Sequence, residues 1–335
     1  GTTGVSKGAV LTHGNICAQL SQIDGWLTGL FKDGEAVVIT ALPLYHIFAL
    51  TANCITFFNY GARNVLITNP RDMPAFIKDL KKNPFSLITG VNTLFNGLLN
   101  QPAFRELDFS NLKISLGGGM AVQDAVALKW QEVTGSPLLE AYGLSETSPA
   151  ATINPTDGSH RMGTIGLPIP NTELKIFDDD KKEVPMGERG EIGIKGPQVM
   201  AGYWNRPEAT AECMHGDFFL TGDIGIMDED GFFKIVDRKK EMVCVSGFNV
   251  YPSEVEAVIS SHPKVLEVGV RSEPDPKTTE CVMAFVVKKD ESLTEDEIRD
   301  FCREKLTNYK VPKIVVFRDE LPKSNVGKIL RRMLK

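Results

Sequence analysis

The sequence predicts an α/β protein. It reads as a doubly wound sheet, then a small antiparallel barrel, then a small α+β domain at the C-terminus. Three observations carry this. Over residues 1–150, β-branched runs alternate with helical patterns, as in a parallel sheet covered on both faces. Over 151–236 the strands become short and are separated by Gly, Pro and Asp turns, the pattern of a barrel. From 238 to 335 a helix, two strands and a further helix make a unit of acceptable domain size.

Residues 1–8, Gly-Thr-Thr-Gly-Val-Ser-Lys-Gly, form a small-residue loop with a lysine. Successive amides in such loops make anion-binding concavities, and the hydroxyls add donors. The loop departs from the Walker pattern GxxxxGK[ST]. Ser6 stands where glycine is required, and Gly8 replaces the hydroxyl after Lys7. A generic P-loop ATPase is therefore disfavoured. The chain opens inside this loop with no strand to aim it, so we expect a piece of a longer protein.

Residues 10–30 have helical spacing. Residues 36–42 are a continuous apolar run suited to a buried parallel strand. Residues 41–58 are the most apolar stretch, but Pro43, His46 and Asn53 interrupt it. It is read as a strand end and a buried helix, not a membrane span. Strands follow at 63–67, 86–91 and 113–116, with helices at 73–82, 92–100 and 122–134. The strand at 113–116 ends in Gly117, Gly118 and Gly119. Ligands bind at the carboxyl ends of such strands, which puts His46, the glycine triplet and Tyr142 on one rim. Short strands at 174–177 and 191–195 lead on to Asp223 and to Asp237-Arg238. The C-terminal unit has helices at 254–260 and 294–307 and strands at 265–270 and 282–287.

Composition narrows the partners. A hydrophobic content of 42% and a charged content of 24% describe a globular chain. A net charge of −6 argues against a nucleic-acid partner. Six cysteines with no CxxC pair suit neither a zinc site nor a disulfide framework, so a reducing cytoplasm is expected.

The densest chemistry lies at 142–149, Tyr-Gly-Leu-Ser-Glu-Thr-Ser-Pro. Gly143 frees the backbone to turn. The Tyr142 ring can stack on a base, Ser145 can donate to a phosphate oxygen, and the lone carboxylate of Glu146 suits Mg²⁺, which takes few protein carboxylates. On its own the stretch also reads as a polar loop closed by proline, which is what most such stretches are.

These motifs, in this order and over the whole chain, resemble the acyl-adenylate-forming (AMP-binding) superfamily of acyl-CoA synthetases, luciferases and peptide-synthetase adenylation domains. Four stretches resemble its bacterial long-chain fatty acid–CoA ligases in particular: 41–50 around Pro-Leu-Tyr-His, 116–122 around the glycine triplet, 245–252 with Ser-Gly-Phe-Asn, and 321–332 with Gly-Lys328-Ile-Leu-Arg-Arg. The resemblance implies a partial adenylation domain over 1–236, a hinge at Asp237 and a mobile C-terminal domain over 238–335. It implies ATP, Mg²⁺, a fatty acid and coenzyme A as ligands, and two half-reactions: acyl-adenylate formation, then transfer to the CoA thiol.

By motif, Thr2, Thr3, Gly4 and Lys7 would surround the β- and γ-phosphates. Gly117, Gly118 and Gly119 would let the backbone lie flat on adenine, with Tyr142 and Gly143 on the base and Ser145 at the α-phosphate. Asp223 and Arg238 would hold the ribose, and Glu146 the Mg²⁺. Lys328 would be the catalytic lysine, His46 would border the acyl site, and Gly247 and Phe248 would line the CoA tunnel. A cytoplasmic protein is implied, with peripheral contact at the inner membrane face through substrate supply, and a homodimer. Two positions depart from the family: Ser145 stands where threonine is usual, and Gly216-Asp-Phe-Phe where Gly-Trp is usual. The resemblance also implies a preceding segment that walls the acyl tunnel, so this chain alone is expected to be poorly active. The alternatives are a ligase for another carboxylic acid and a non-catalytic nucleotide-binding module.

Overall fold

Alternation along the central strands decides the first layer. Val38 and Leu87 pack on one face of the sheet with Ile23, Leu27, Phe31 and Phe57. Ile39 and Ile88, one residue further, pack on the other with Phe76, Phe95 and Trp130. Strands apolar on both faces require cover on both. In the computed structural model, which describes residues 7–324 and 328–335, that cover comes from α1 (His13–Trp26) and α2 (Thr56–Asn59) on one side. On the other side it comes from α3 (Met73–Lys82), α4 (Asn92–Leu99) and α5 (Asp124–Thr134).

The sheet has seven strands: β1 (Val37–Thr40), β2 (Arg63–Leu66), β3 (Leu87–Gly90), β4 (Ile114–Gly117), β5 (Leu138–Gly143), β6 (Ala150–Ile153) and β7 (Leu167–Pro168), in the order β2-β1-β3-β4-β5-β6-β7. The first five are parallel. The last two are antiparallel, because residues 144–149 turn the chain straight back on β5. The sheet thus runs on past residue 150, through two strands too short to show as a periodic pattern.

Local chemistry sets the helix ends. Asn15 N donates to Thr12 Oγ1 at 3.1 Å and Thr12 N donates to Asn15 Oδ1 at 2.9 Å, a reciprocal cap for α1. Asp72 caps α3 by accepting from Ala75 N at 3.1 Å. The apolar stretch at 41–58 is helical after Ile47, but most of it, Phe48–Ile55, is a π-helix that continues into α2. Such widened turns are uncommon and cluster at functional sites.

A second, antiparallel sheet comprises β8 (Glu173–Phe177), β9 (Gly190–Lys195), β10 (Met214–His215), β11 (Phe218–Met227) and β12 (Phe233–Arg238), with the short helix α6 (Pro207–Glu212) beside β10. The long β11 pairs with β9 along one edge, and with β10 and then β12 along the other. A bridge between Gly166 and Phe233 joins it to the first sheet, over a core of Ala151, Ile165, Ile176, Ile192, Ile194 and Phe233.

The third sheet holds β13 (Val243–Val245), β14 (Phe248–Val250), β15 (Val265–Asp275), β16 (Thr279–Lys288) and β17 (Ile314–Arg318). It packs on α7 (Pro252–Ser260) and α8 (Glu295–Arg303). Among the described residues, no helix is long and apolar enough to cross a membrane.

Candidate active site

One cleft of about 1250 Å³ opens at the carboxyl ends of the parallel strands. Lys7, His46, Gly118, Gly119, Tyr142, Gly143, Ser145, Glu146, Arg238 and Lys328 line it. These residues come from the first sheet, the second sheet and the C-terminal segment. Gly117 lies beneath the surface in β4, paired with Gly90 and Glu140. Thr2, Thr3 and Gly4 fall outside the described residues. Gly247 and Phe248 do not line the cleft; Phe248 is exposed and stacks on Tyr309 at 4.9 Å.

Residues 142–149 are shaped by a close approach. A Cβ on Gly143 would sit 1.9 Å from the Pro149 carbonyl oxygen, so only glycine fits. Leu144 N donates to Pro149 O at 3.0 Å and closes the turn. From outside, Met200 N donates to Glu146 O at 2.8 Å, Ser148 Oγ donates to Gln198 O at 2.8 Å, and Ala150 N donates to Gln19 Oε1 at 2.7 Å. The loop is therefore fixed from α1 and from the segment after β9.

At its start, Tyr142 donates from its hydroxyl to Asp223 Oδ2 at 2.6 Å. The other carboxylate oxygen of Asp223 meets Arg238 Nε at 3.0 Å. Asp223 is 3% exposed, and burial pushes its carboxyl above the usual range while Arg238 and Tyr142 pull it back. Burial, then the Asp223 charge, raises the Tyr142 phenol well above its usual value, so it serves as a donor. Both Asp223 oxygens are engaged within the protein, and Arg238 is what reaches the cleft wall.

Lys328 enters from the C-terminal segment. Its backbone N donates to Ser324 Oγ at 3.1 Å, and Ser324 N donates back to Lys328 O at 2.8 Å, so the two residues hold each other. Burial and the nearby Arg238 guanidinium lower the Lys328 pKa, while Glu241 and Asp223 hold it up.

Glu146 points one carboxylate oxygen at the Tyr203 hydroxyl, 2.7 Å away, and Lys7 Nζ lies 4.7 Å over the Tyr203 ring. Burial first, then Glu146, pushes the Tyr203 phenol up. Among the described residues no cluster of three or more His, Cys, Asp or Glu could hold a metal. A single carboxylate, with one oxygen unpartnered among the described residues, fits Mg²⁺ shared with a polyphosphate, since that ion keeps most of its ligands as water and phosphate oxygen.

His46 accepts from Phe48 N at 3.3 Å through Nδ1, and burial lowers its pKa, which favours the neutral ring. Gly247 has a φ of 84° and open space around it among the described residues, so backbone conformation, not crowding, requires glycine in this arrangement.

Three further groups escaped the sequence reading. Tyr203 orients Glu146 from 57 residues away. Glu140 accepts from Val122 N at 3.0 Å and Gly163 N at 3.2 Å, tying the segment after the glycine triplet to the loop before β7. Arg331 binds Asp237, Glu241 and Glu256. Tyr203 and Glu140 have no local signal, since each is recognised by distant partners. Arg331 stands inside the 321–332 motif, where no role was read for it.

The family model for AMP-binding enzymes matches residues 1–204, and the model for their C-terminal domain matches residues 254–328. The chain belongs to the AMP-binding enzyme family. Its matched regions contain the whole lining named above except Arg238. A long-chain-fatty-acid–CoA ligase of Escherichia coli is 58% identical over all 335 residues, and the chain spans 60% of that relative's length. A feruloyl-CoA synthase of Amycolatopsis is 36% identical over 99% of this AMP-binding chain and 67% of its own. Among solved structures, ATP-bound MatB from Rhodopseudomonas palustris superposes with a TM-score of 0.90 at 34% identity, covering 99% of this chain and 65% of its own. The apo form of the same protein superposes with a TM-score of 0.72, covering 98% and 65%.

Proposed function

We propose that the full-length protein joins a long-chain fatty acid to coenzyme A at the expense of ATP, through an acyl-adenylate. The observation that carries this is Lys328. It reaches from near the C-terminus into the cleft that Arg238, Tyr142, Ser145 and Glu146 also line, and Arg238 is close enough to lower its pKa.

A carboxylate oxygen of the acid attacks the α-phosphorus of ATP. The bond from that phosphorus to the bridging oxygen breaks, and pyrophosphate leaves. Two anions meet, so catalysis depends on fixed positive charge and oriented donors where negative charge builds up. Lys328 supplies a compact charge on a long stem, Ser145 a hydroxyl at the α-phosphate, and Lys7 a charge near the β- and γ-phosphates. Gly118, Gly119 and Tyr142 frame the adenine, with Asp223 and Arg238 at the ribose. Glu146 would hold Mg²⁺, which supplies charge neutralisation on the polyphosphate. His46, neutral, borders the acyl group.

In the second step the CoA sulfur attacks the acyl carbonyl and AMP leaves. For this step we place a hinge at Asp237, between residues 1–236 and 238–335. Rotation there would withdraw Lys328 and bring Gly247 and Phe248 to the cleft as the CoA tunnel, a rigid-body closure about a few residues. Phe248 lying outside the cleft in the present arrangement agrees with that order. The reading extends to the cytoplasm, a peripheral contact at the inner membrane face where such acids arrive, and a homodimer. Vesicle co-sedimentation and light scattering test the last two.

Pyrophosphate release by the full-length protein across a series of carboxylic acids tests the assignment. Highest turnover is expected with long-chain acids. Highest turnover with short or aromatic acids would favour the second reading, a ligase for another acid, to which the 36% identity with a feruloyl-CoA synthase lends weight.

A further inference from the structure

Arg331 lies three residues beyond Lys328, and its side chain is 15% exposed. Every part of its guanidinium is used. Nε and Nη2 meet the two oxygens of Glu256 at 2.8 and 2.6 Å, and Nη2 also meets Ser253 Oγ at 2.7 Å. Nη1 meets Asp237 Oδ1 at 2.8 Å and Glu241 Oε2 at 2.5 Å. Asp237 also accepts from Ser253 N at 2.6 Å and from Arg238 N at 2.7 Å.

The partners belong to different layers. Asp237 is in β12, the last strand of the second sheet. Ser253 and Glu256 are in α7, which packs on the third sheet. A planar fork with five donors can hold both at once; a lysine ammonium cannot reproduce that geometry. The same chain segment carries Lys328 into the cleft. The position of Lys328 and the pairing of Asp237 are thus mechanically linked through three residues of backbone. The chain superposes with a TM-score of 0.90 on ATP-bound MatB and of 0.72 on apo MatB.

We propose that Arg331 is a positioning residue. Its guanidinium latches the Lys328 segment to Asp237, holding the lysine in the cleft while the adenylate forms, and the latch opens before thioester formation. The inference rests on the function proposed above and names a control point within it. On this account the Arg331–Asp237 bond and the Ser253–Asp237 bond cross the moving boundary. The bonds to Glu256 and Glu241 stay within the C-terminal part.

The test uses the full-length protein and measures the two half-reactions apart: fatty-acid-dependent ATP–pyrophosphate exchange, and acyl-CoA formation from supplied acyl-adenylate. Arg331→Lys keeps the charge and loses the fork. Asp237→Asn keeps Arg331 paired with Glu256, so it guards against an outcome due to misfolding. Both should slow the exchange about tenfold or more, the scale of one charge-assisted hydrogen bond. The KM for ATP should move less than the rate, and thioester formation should be spared. Equal losses in both half-reactions, or no loss in either, would overturn the latch. A wild-type protein that makes no adenylate would instead sink the proposed function, and the latch with it.

Discussion

Tyr142 and Asp223, 81 residues apart, share a 2.6 Å hydrogen bond that joins the end of β5 to the middle of β11. The bond locks the ring that would face adenine to the carboxylate that holds Arg238 at the cleft wall. Tyr142→Phe keeps the ring and leaves a buried carboxylate oxygen without its donor. The cost should be about 1–3 kcal/mol of stability. Thermal or urea unfolding checks it, and a variant as stable as the wild type would show that the bond contributes nothing net. Adenylation should fall less in Tyr142→Phe than in Tyr142→Ala, because stacking survives.

Glu140 makes stability depend on pH. It is 9% exposed, and burial raises its pKa from the usual 4.5 to about 7, against the pull of two backbone amides. The folded state therefore holds a proton that the unfolded state releases between pH 4.5 and 7. The stabilisation from the protonated group is fully present below 4.5 and lost as pH rises through about 7. It amounts to about 3 kcal/mol. Glu140→Gln removes the titration, so its unfolding free energy should vary less across this window. Parallel curves for the two proteins would refute the assignment.

Glu146 and Tyr203 form one unit. Glu146→Ala should weaken Mg²⁺-dependent activity, with partial recovery at excess Mg²⁺. Tyr203→Phe should give a milder defect of the same kind, because the carboxylate loses only its orienting donor. Titration of pyrophosphate release with Mg²⁺ reads both. A defect that excess Mg²⁺ leaves unchanged would remove Glu146 from the metal site.

Lys328→Ala should abolish adenylation by the full-length protein and leave thioester formation from acyl-adenylate largely intact. The lowered Lys328 pKa also sets a pH limb. Adenylation needs the charged amine, so it should decline on the alkaline side at a lower pH than an ordinary lysine would allow. Measured rates that stay level through that range would put the charge elsewhere.

Much of the fold was legible because its strands and helices carry local periodicity. Residues 73–82 read as helical and are α3, and the run at 36–42 encloses β1. The strands β6 and β7 were not legible, since they exist by pairing in turn, β6 on β5 and the two residues of β7 on β6. The site divides the same way. Tyr142, Ser145 and Glu146 are neighbours in the chain, so their chemistry shows as a cluster of residue types. The Tyr142–Asp223 bond, the Tyr203–Glu146 bond and the carboxylates around Arg331 are made across 57 to 94 residues of chain, and no residue type announces them. Gly247 was placed at the CoA tunnel by resemblance alone. The reason for glycine there in this arrangement, a φ of 84°, is a backbone property.

The most direct test of the account is a single turnover of the full-length protein with ATP, Mg²⁺ and a long-chain fatty acid, first without coenzyme A. We expect one equivalent each of acyl-adenylate and pyrophosphate, and, on adding coenzyme A, conversion of the acyl-adenylate to acyl-CoA and AMP. Release of ADP and phosphate, or acyl-CoA formed with no adenylate detectable before it, would contradict the account.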